Sequence, residues 1–307
     1  MSTATRSRCP SKRYDHMIRI AEDWKDYEII ATGGGLKLER WGSLVLLRPD
    51  PQIIWQPRFE LESYRGINAV YRRSSSGGGG WTFSKGVPDN FTVSRKGLSF
   101  SLKLMGFKHT GLFPEQAVNW DEAQRLIRGA GRDINVLNLF AYTGGASVAC
   151  AAAGAKVTHV DAAKAMVERA KVNASLSGVP DGSIRYIVDD CGKFVAREQR
   201  RGRRYDAIVM DPPSYGRGAS GEVWKLEDDL FGFVKECVKL LSDDPLFVLI
   251  NSYTTGLQPT VIENILRLTL PGRGGDFESY ELGLPTGDGI PLPCGCSGIW
   301  RNTREQI

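Results

Sequence analysis

The most constraining feature of this 307-residue chain is a series of apolar runs that each end on polar residues. The first run, residues 134–139, leads into a glycine turn, and the later runs end at Asp161, at the pair Asp189–Asp190 and at Asp211. Parallel strands bring such strand-end side chains to one edge of a sheet, where nucleotide-type ligands bind. The pattern therefore predicts one ligand site assembled from distant parts of the chain.

Strand-like and helical periodicities alternate from Trp120 onward. Strands are predicted at 134–139, 156–160, 184–188, 207–210 and 246–250, and helices at 120–128, 146–153, 164–177, 192–200 and 226–241. This alternation predicts an α/β fold with a parallel, doubly wound sheet covered on both faces. A last strand is predicted around Cys294 and Cys296. A nicotinamide-dependent oxidoreductase would show the same alternation.

The first hundred residues have a different pattern. Short β-like runs occur within 27–47 and at 69–73, 81–84, 91–93 and 98–104, between proline-rich or glycine-rich turns. The serine and glycine run at 74–80 has no side chains to bury and predicts a mobile surface loop. We therefore predict a small β-rich N-terminal domain, residues 1–105, and a larger α/β domain, residues 106–307.

Composition narrows the class of protein. Hydrophobic residues make up 41% of the chain and charged residues 24%, and no apolar stretch approaches the roughly 18 residues of a membrane span, so we expect a cytoplasmic protein without a membrane partner. Cys294-Gly295-Cys296 has no second cysteine pair or histidine cluster beside it, so no metal site is predicted. The net charge of +5 is compatible with a nucleic-acid partner. Five arginines between Arg197 and Arg204 form either a solvated helix end or an RNA contact.

The strand-end carboxylates indicate a cofactor site. The glycine turn lacks the G-x-G-x-x-G spacing of pyrophosphate-binding enzymes, which disfavours nicotinamide. Gly144 and Gly145 would let the backbone approach a ligand without a clashing Cβ. Asp161 can accept hydrogen bonds from both ribose hydroxyls, or cap the next helix. Asp190 is favoured to accept from an adenine amino group, although Asp189 or Asp190 could be a solvated turn residue. These groups suit S-adenosylmethionine.

Residues 211–215, with the sequence Asp-Pro-Pro-Ser-Tyr, predict a substrate corner. Two φ-restricted prolines hold the aspartate and the carbonyls in fixed directions beside the methyl donor. Tyr215 could stack on a planar base, or be a core tyrosine at a rigid corner. Arg217, Trp224 and Lys225 follow and either contact substrate or lie on the surface. The predicted catalytic residues are Asp211, Pro212, Pro213 and Tyr215.

Four segments resemble the class I methyltransferases. They are residues 108–116 (Lys-His-Thr-Gly-Leu-Phe-Pro-Glu-Gln), residues 138–145 (Asn-Leu-Phe-Ala-Tyr-Thr-Gly-Gly), residues 188–190 (Val-Asp-Asp) and residues 210–215 (Met-Asp-Pro-Pro-Ser-Tyr). They are similar to a subgroup of bacterial large-subunit ribosomal RNA methyltransferases, which includes cytosine-C5 enzymes and the C-terminal half of a bifunctional guanine N2/N7 enzyme. The resemblance covers roughly residues 107–257. It implies a Rossmann-like class I methyltransferase sheet, S-adenosylmethionine as cofactor and RNA, in the first place ribosomal RNA, as partner.

The resemblance also implies cofactor contacts. In that family the Thr-Gly-x-Phe segment lies against the cofactor, which adds three residues to those predicted from the strand ends. The full expected set is Thr110, Gly111, Phe113, Phe140, Tyr142, Thr143, Gly144, Asp161, Ala162, Asp190 and Cys191.

Tyr253 marks a departure from the cytosine-C5 relatives, which have a cysteine in a turn after the corresponding strand. Methylation at carbon 5 needs a thiolate that adds to carbon 6. Transfer to a base nitrogen needs only in-line alignment and a group that orients or deprotonates the acceptor. Asp211 and the Pro212 carbonyl are our first choice for this role, and Asn251 and Tyr253 are secondary candidates.

The sequence thus predicts an S-adenosylmethionine-dependent methyltransferase that acts on a base nitrogen of RNA. A methyltransferase for a small molecule or a protein is the alternative among enzymes. A cofactor-binding RNA-interaction module without turnover is the alternative outside them. The pattern indicates no particular oligomeric state.

Overall fold

The computed structural model describes residues 18–74, 78–84, 86–106, 108–217 and 223–303. The strands are β1 (Ile18–Ile20), β2 (Tyr27–Gly33), β3 (Leu36–Trp41), β4 (Leu44–Pro49), β5 (Ile67–Arg73), β6 (Gly79–Phe83), β7 (Phe91–Arg95), β8 (Leu98–Leu102), β9 (Asn135–Leu139), β10 (Lys156–Asp161), β11 (Ile184–Val188), β12 (Ala207–Met210), β13 (Tyr215–Arg217), β14 (Val223–Lys225), β15 (Phe247–Ser252), β16 (Asp276–Leu284) and β17 (Leu292–Arg301). The α-helices are α1 (Ala117–Gly129), α2 (Gly145–Ala152), α3 (Lys164–Leu176), α4 (Cys191–Arg200), α5 (Leu226–Cys237) and α6 (Pro259–Thr269).

The large sheet has eight strands in the order β1-β16-β17-β15-β12-β9-β10-β11. Its centre is parallel and in register, so that Val136 of β9 lies beside Val157 of β10 and Ala207 of β12. These strands are almost entirely buried, which explains their continuous apolar sequences. The predicted α/β class and the five predicted strands of this domain are confirmed.

One strand of the large sheet corrects the predicted all-parallel topology. β17 runs antiparallel to both of its neighbours, β15 and β16. Residues 285–291, which connect β16 to β17, are too few for the crossover that a parallel pair needs. Helix α6 was not predicted, although Pro259 stands in its first turn, where proline is well tolerated.

The N-terminal strands confirm the predicted β-rich region. Strands β2 to β6 form a five-stranded sheet, and β7 and β8 form a separate hairpin. Strand β1 instead pairs with β16 at the edge of the large sheet. One apolar core extends from Trp41 and Phe100 of the N-terminal strands to Trp120 and Val136 of the larger part. The small sheet is therefore packed directly against the part of the chain that carries the strand-end carboxylates.

The predicted mobile loop at 74–80 lies outside the described residues at 75–77. The prediction is wrong for Gly79 and Gly80, which belong to β6. A Cβ on Gly79 would lie 2.3 Å from the Arg72 carbonyl oxygen and 2.8 Å from the Tyr71 ring. Close strand packing, not flexibility, accounts for that glycine. Within the described ranges, every helix is too short or too polar to cross a lipid bilayer.

Candidate active site

A cavity of about 1130 Å³ opens at the carboxyl ends of β9, β10, β11 and β12. Ten of the predicted site residues line it: Phe113, Phe140, Tyr142, Asp161, Ala162, Asp190, Cys191, Asp211, Pro212 and Pro213. The residues come from segments that are far apart in sequence, as the strand-end pattern predicts. The cavity also receives side chains from β3 and β4 of the small sheet.

The turn after β9 is conformationally strained. Phe140 and Tyr142 have φ values of 53° and 50°, in the left-handed region that non-glycine residues rarely adopt. Asp161 holds this turn, because its Oδ2 accepts a hydrogen bond of 2.8 Å from the Tyr142 amide while its Oδ1 accepts one of 2.8 Å from the Ala163 amide. Burial raises the pKa of Asp161, and these two amides oppose that rise. The carboxylate is thereby fixed at the cavity wall.

Two further carboxylates lie at the end of β11. Asp190 is the N-cap of α4, with its Oδ1 accepting from the Lys193 amide at 2.9 Å. Asp189 forms an ion pair with Arg197. Both line the cavity, but the ion pair already engages Asp189. This difference supports the preference for Asp190 on the adenine side.

Four predicted cofactor contacts, Thr110, Gly111, Thr143 and Gly144, are not among the residues that line the cavity. The sequence analysis attributed the glycine turn to the close approach of a ligand, and the structure gives a different reason for Gly144. Thr110 is fully buried, and the Thr143 hydroxyl donates to the Gly111 carbonyl at 2.6 Å. A Cβ on Gly144 would lie 2.8 Å from the Cβ of Ala170 in α3. The space on the Cβ side of Gly144 is thus filled by α3, so the close approach that requires a glycine here is the approach of that helix.

Residues 211–214 after β12 form one part of the cavity wall, which we name the acceptor end because the sequence predicts the methyl acceptor there. Burial, and then the neighbouring charge of Glu115, raises the pKa of Asp211 to about 7. Tyr215 does not line the cavity; it lies in the β13–β14 hairpin with 52% of its surface exposed. The side chain of Arg217 lies outside the described residues, and Lys225 pairs with Asp228 at 3.9 Å on the surface.

Trp224 lines the cavity, in contrast to Tyr215 and Lys225. Its indole packs against Phe140 and Phe233, and donates to the Pro213 carbonyl at 2.6 Å. The hairpin that carries Trp224 is therefore tied to the acceptor corner by a hydrogen bond.

Tyr253, at the position where cytosine-C5 relatives have a thiol, lines the acceptor end. Its ring lies 5.1 Å from that of Phe113, and its hydroxyl accepts a hydrogen bond of 2.7 Å from Gln116. Asn251, the other secondary candidate, is buried away from the cavity. Its Oδ1 accepts from Asn119 and from Ser297, so it is a core residue and its predicted orienting role is not supported.

A buried charge cluster in the small sheet completes the cavity wall, and the sequence analysis missed it. Glu39 is fully buried and accepts two hydrogen bonds from Arg48, at 2.6 and 2.8 Å, and one of 2.8 Å from Tyr27. Lys37 lies 3.2 Å from Asp50 and 3.8 Å from Glu39. Four of these five residues line the cavity, while Glu39 lies behind them. The sequence shows charged residues at these positions but does not show which of them pair.

The cysteines of the described chain are unsuited to nucleophilic attack. Burial raises the pKa of Cys191 to about 12 and that of Cys296 to about 11. Cys294 lines the cavity, but burial and the nearby Glu115 charge raise its pKa as well. A thiol that stays protonated at neutral pH is a poor nucleophile.

Apart from Arg197, which pairs with the cavity residue Asp189, the arginine-rich segment lies away from the cavity. Helix α4 begins at the cavity with Cys191 and runs about 15 Å away from it. Arg201 pairs with Glu198 at 3.0 Å, while the Arg204 guanidinium donates to the Arg203 carbonyl. The solvated helix end therefore explains this segment better than an RNA contact near the site.

A family model described as S-adenosylmethionine-dependent methyltransferase matches residues 39–258. The chain belongs to this family. The protein is accordingly a methyltransferase with S-adenosylmethionine as cofactor, and the predicted family, enzyme class and cofactor are confirmed.

A solved S-adenosylmethionine-dependent methyltransferase from Agrobacterium tumefaciens is 36% identical, with a TM-score of 0.88 and coverage of 93% of both chains. A protein solved in complex with SAH shares the fold, with a TM-score of 0.72 at 19% identity over 91% of this chain and 76% of that one. Ribosomal RNA large subunit methyltransferase K/L of Shewanella frigidimarina is 33% identical over 158 residues, or 51% of this chain. The chain spans only about a fifth (21%) of that relative's length.

The cavity fits this cofactor in two respects. Its volume is ample for the cofactor and part of an acceptor. The buried Tyr142 hydroxyl, on the cavity wall, has no hydrogen-bond partner in the part of the chain that the structure describes, so a ligand can satisfy it. We propose that Asp161 holds the ribose hydroxyls and Asp190 the adenine edge.

Replacing Asp161 by alanine is expected to weaken S-adenosylmethionine binding by roughly 1–3 kcal/mol, the cost of unpaired hydroxyl contacts and of a released turn. Isothermal calorimetry measures the affinity. Asp206→Ala is the matched control, because Asp206 also accepts a backbone hydrogen bond, from Asn135 at 2.8 Å, but at the far edge of the sheet. Equal affinities for the two variants would contradict the ribose assignment.

Proposed function

We propose that this protein methylates a base nitrogen of RNA, with ribosomal RNA as the favoured substrate, in the cytoplasm. The observation that carries the proposal is the acceptor end of the cavity, where Asp211 and residues 212–214 stand beside Phe113 and Tyr253. When bound, S-adenosylmethionine supplies an electrophilic methyl group. The chain itself supplies the acceptor's position and surroundings.

The chemistry of this end favours nitrogen over carbon 5 of cytosine. Tyr253 replaces the expected thiol, and the pKa of the Cys294 thiol, which also lines the cavity, is raised. The Asp211 carboxylate is a hydrogen-bond acceptor, and backbone carbonyls of the two prolines are acceptors as well. An N–H group of a planar base can donate to such acceptors while its ring packs against Phe113 and Tyr253.

The choice of RNA as substrate is supported by the relatives. Those that match about half of this chain are named ribosomal RNA large subunit methyltransferase K/L. The cavity wall also has basic residues, Lys37, Arg48 and Lys108, and burial followed by the surrounding positive charges, including that of Arg73, lowers the pKa of Lys108. Cations on the wall suit contact with a phosphate of the RNA while a base occupies the cavity.

The test is incubation of the protein with methyl-labelled S-adenosylmethionine and total RNA from a strain that lacks the gene. Label in RNA, recovered after digestion as an N-methylated nucleoside, is expected. Label at carbon 5 of cytosine would overturn the nitrogen assignment. Label only in the protein or small-molecule fraction would support the alternative enzymes, and bound cofactor without transfer would support a non-catalytic module.

Serine substitutions at Cys191, Cys294 and Cys296, made singly, are expected to leave turnover largely intact, because no thiolate participates in transfer to nitrogen. The measurement is methyl transfer to the RNA identified above. A covalent adduct with 5-fluorocytosine RNA that forms in the parent and disappears in one variant would contradict this expectation.

A further inference from the structure

Glu115 is a second carboxylate at the acceptor end, and neither the sequence motifs nor the cofactor contacts explain it. It lies in the short 3₁₀ turn before α1, is only 6% exposed, and lines the cavity together with Asp211. The two carboxylates interact, because the charge of Glu115 helps to raise the pKa of Asp211. Ionisation of a buried carboxylate close to another is unfavourable unless hydrogen bonds or an opposite charge stabilise it.

A chain of hydrogen bonds runs from the core to Tyr253, and the donor and acceptor of each bond are defined. The Tyr280 hydroxyl donates to Asn119 Oδ1 at 2.6 Å, and Asn119 Nδ2 donates to Gln116 Oε1 at 2.8 Å. This orients the Gln116 amide so that its Nε2 donates to the Tyr253 hydroxyl at 2.7 Å. Since that hydroxyl already accepts from Gln116, its own proton can be donated, and a hydrogen-bond contribution from Tyr253 lowers the pKa of Glu115.

The groups around Glu115 have mixed charge. Lys37 of β3 and Arg48 of β4 face it from the small sheet and lower its pKa, while burial, the largest effect, raises it. Cys294 of β17 and Asp211 after β12 face it from the large sheet, and the charge of Glu115 raises the pKa of both. Glu115 thus shares the cavity with Lys37, Arg48 and Asp211 and interacts with each of them by charge.

We propose that Glu115 is the positioning partner of Asp211 in a proton-accepting carboxylate pair, with Tyr253 as the hydroxyl that fixes Glu115. The inference rests on the proposed function, because an N–H group of a base has a proton to release when its nitrogen is methylated. The acceptor nitrogen uses its lone pair to form the N–CH₃ bond as the S–CH₃ bond breaks. The electron pair of the broken S–CH₃ bond stays on sulfur. The nitrogen is left positively charged, and its proton passes to Asp211, where the pair shares it.

The test follows Asp211 directly and needs no RNA. Protein labelled with ¹³C at the aspartate side-chain carboxyl is titrated by NMR with saturating S-adenosylhomocysteine, and the Asp211 signal is assigned by its loss in Asp211→Asn. A titration of Asp211 near neutral pH is expected in the parent. Glu115→Gln, which removes the neighbouring negative charge, is expected to lower this midpoint by roughly one pH unit. Glu115→Asp keeps the charge and is expected to stay near the parent value.

Glu198→Gln is the matched control. Glu198 is also a fully buried glutamate that accepts from a tyrosine hydroxyl, Tyr205 at 2.7 Å, but it does not line the cavity. It is expected to leave the Asp211 midpoint unchanged. An unchanged midpoint in Glu115→Gln, or an ordinary midpoint in the parent, would overturn the pair. If Glu115→Gln does not fold, Glu115→Leu takes its place, and an Asp211 midpoint in that variant equal to the parent value would overturn the pair.

The two proposals fail in different ways. N-methylated RNA together with an Asp211 midpoint that ignores Glu115 would remove the carboxylate pair and leave the proposed function intact. A coupled titration with no methylated RNA would leave the pair in place and remove the RNA substrate.

Discussion

Replacing Glu39 by glutamine is expected to lower the free energy of unfolding by roughly 3–5 kcal/mol, because breaking a buried ion pair leaves an uncompensated charge. Glu39 is fully buried, and its carboxylate is the shared partner of Arg48 and Lys37. The glutamine side chain has nearly the same shape, so the loss reports the charge and not a cavity. Urea unfolding followed by circular dichroism measures the change.

Glu28→Gln is the matched control for that experiment. Glu28 of β2 pairs with Arg40 of β3 at 2.8 Å in the same five-stranded sheet, but its side chain is 54% exposed. Exposed pairs contribute about 0–1 kcal/mol. A Glu39→Gln variant that is destabilised no more than Glu28→Gln would contradict the stabilising role of the buried cluster.

The same cluster makes the free energy of unfolding decrease at acid pH. Burial alone would raise the pKa of Glu39, but Arg48 and Lys37 lower it from 4.5 to about 2. The stabilisation is complete above the unfolded-state pKa and is lost as the pH falls from about 4.5 toward about 2, because the unfolded chain binds a proton that the folded protein does not. The acid limb of the stability curve is expected to be shallower in Glu39→Gln.

The strand-end carboxylates were the part of the site that sequence could predict. Asp161, Asp190 and Asp211 each close an apolar run, and the parallel strands carry all three to one edge without any knowledge of tertiary contacts. The contacts of the glycine turn were harder to predict from the sequence. A glycine next to a ligand and a glycine next to a helix look alike in sequence, and Gly144 proved to face Ala170 of α3.

The acceptor wall could not be predicted because its pairs are non-local. Arg48 meets Glu39 between the adjacent strands β4 and β3, but its guanidinium also donates to the carbonyl of the distant Lys108 at 2.7 Å. Gln116 reaches Tyr253, far along the chain, through a single hydrogen bond. Local periodicity reports which face of a strand is buried, but not which distant polar group it meets there. The direction of β17 was missed because no strand was predicted at the position of β16, so the short connection between the two strands could not be recognised.

Replacing Asp211 by asparagine is expected to lower turnover on the order of 100-fold, the usual scale of a lost proton acceptor, while S-adenosylmethionine affinity changes little. The barrier rises by about 2.7 kcal/mol in that case. The reason is geometric: Asp211 lies at the acceptor end of the cavity, whereas Asp161 and Asp190 lie at the end that we assign to the donor. Single-turnover methylation of the RNA identified by labelling gives the rate, and calorimetry gives the donor affinity.

The pH dependence of the same reaction provides an independent check. The pKa of Asp211 is raised to about 7, so the residue is neutral below that pH and ionised above it. A carboxylate that accepts a proton must be ionised, so parent turnover is expected to increase as the pH rises through about 7, and this increase should disappear in Asp211→Asn. Asp189→Asn, a cavity carboxylate on the other side, is the control and should keep the increase. Equal turnover in the parent and Asp211→Asn would move the acceptor contact to Tyr253, because Asn251 is engaged in the core.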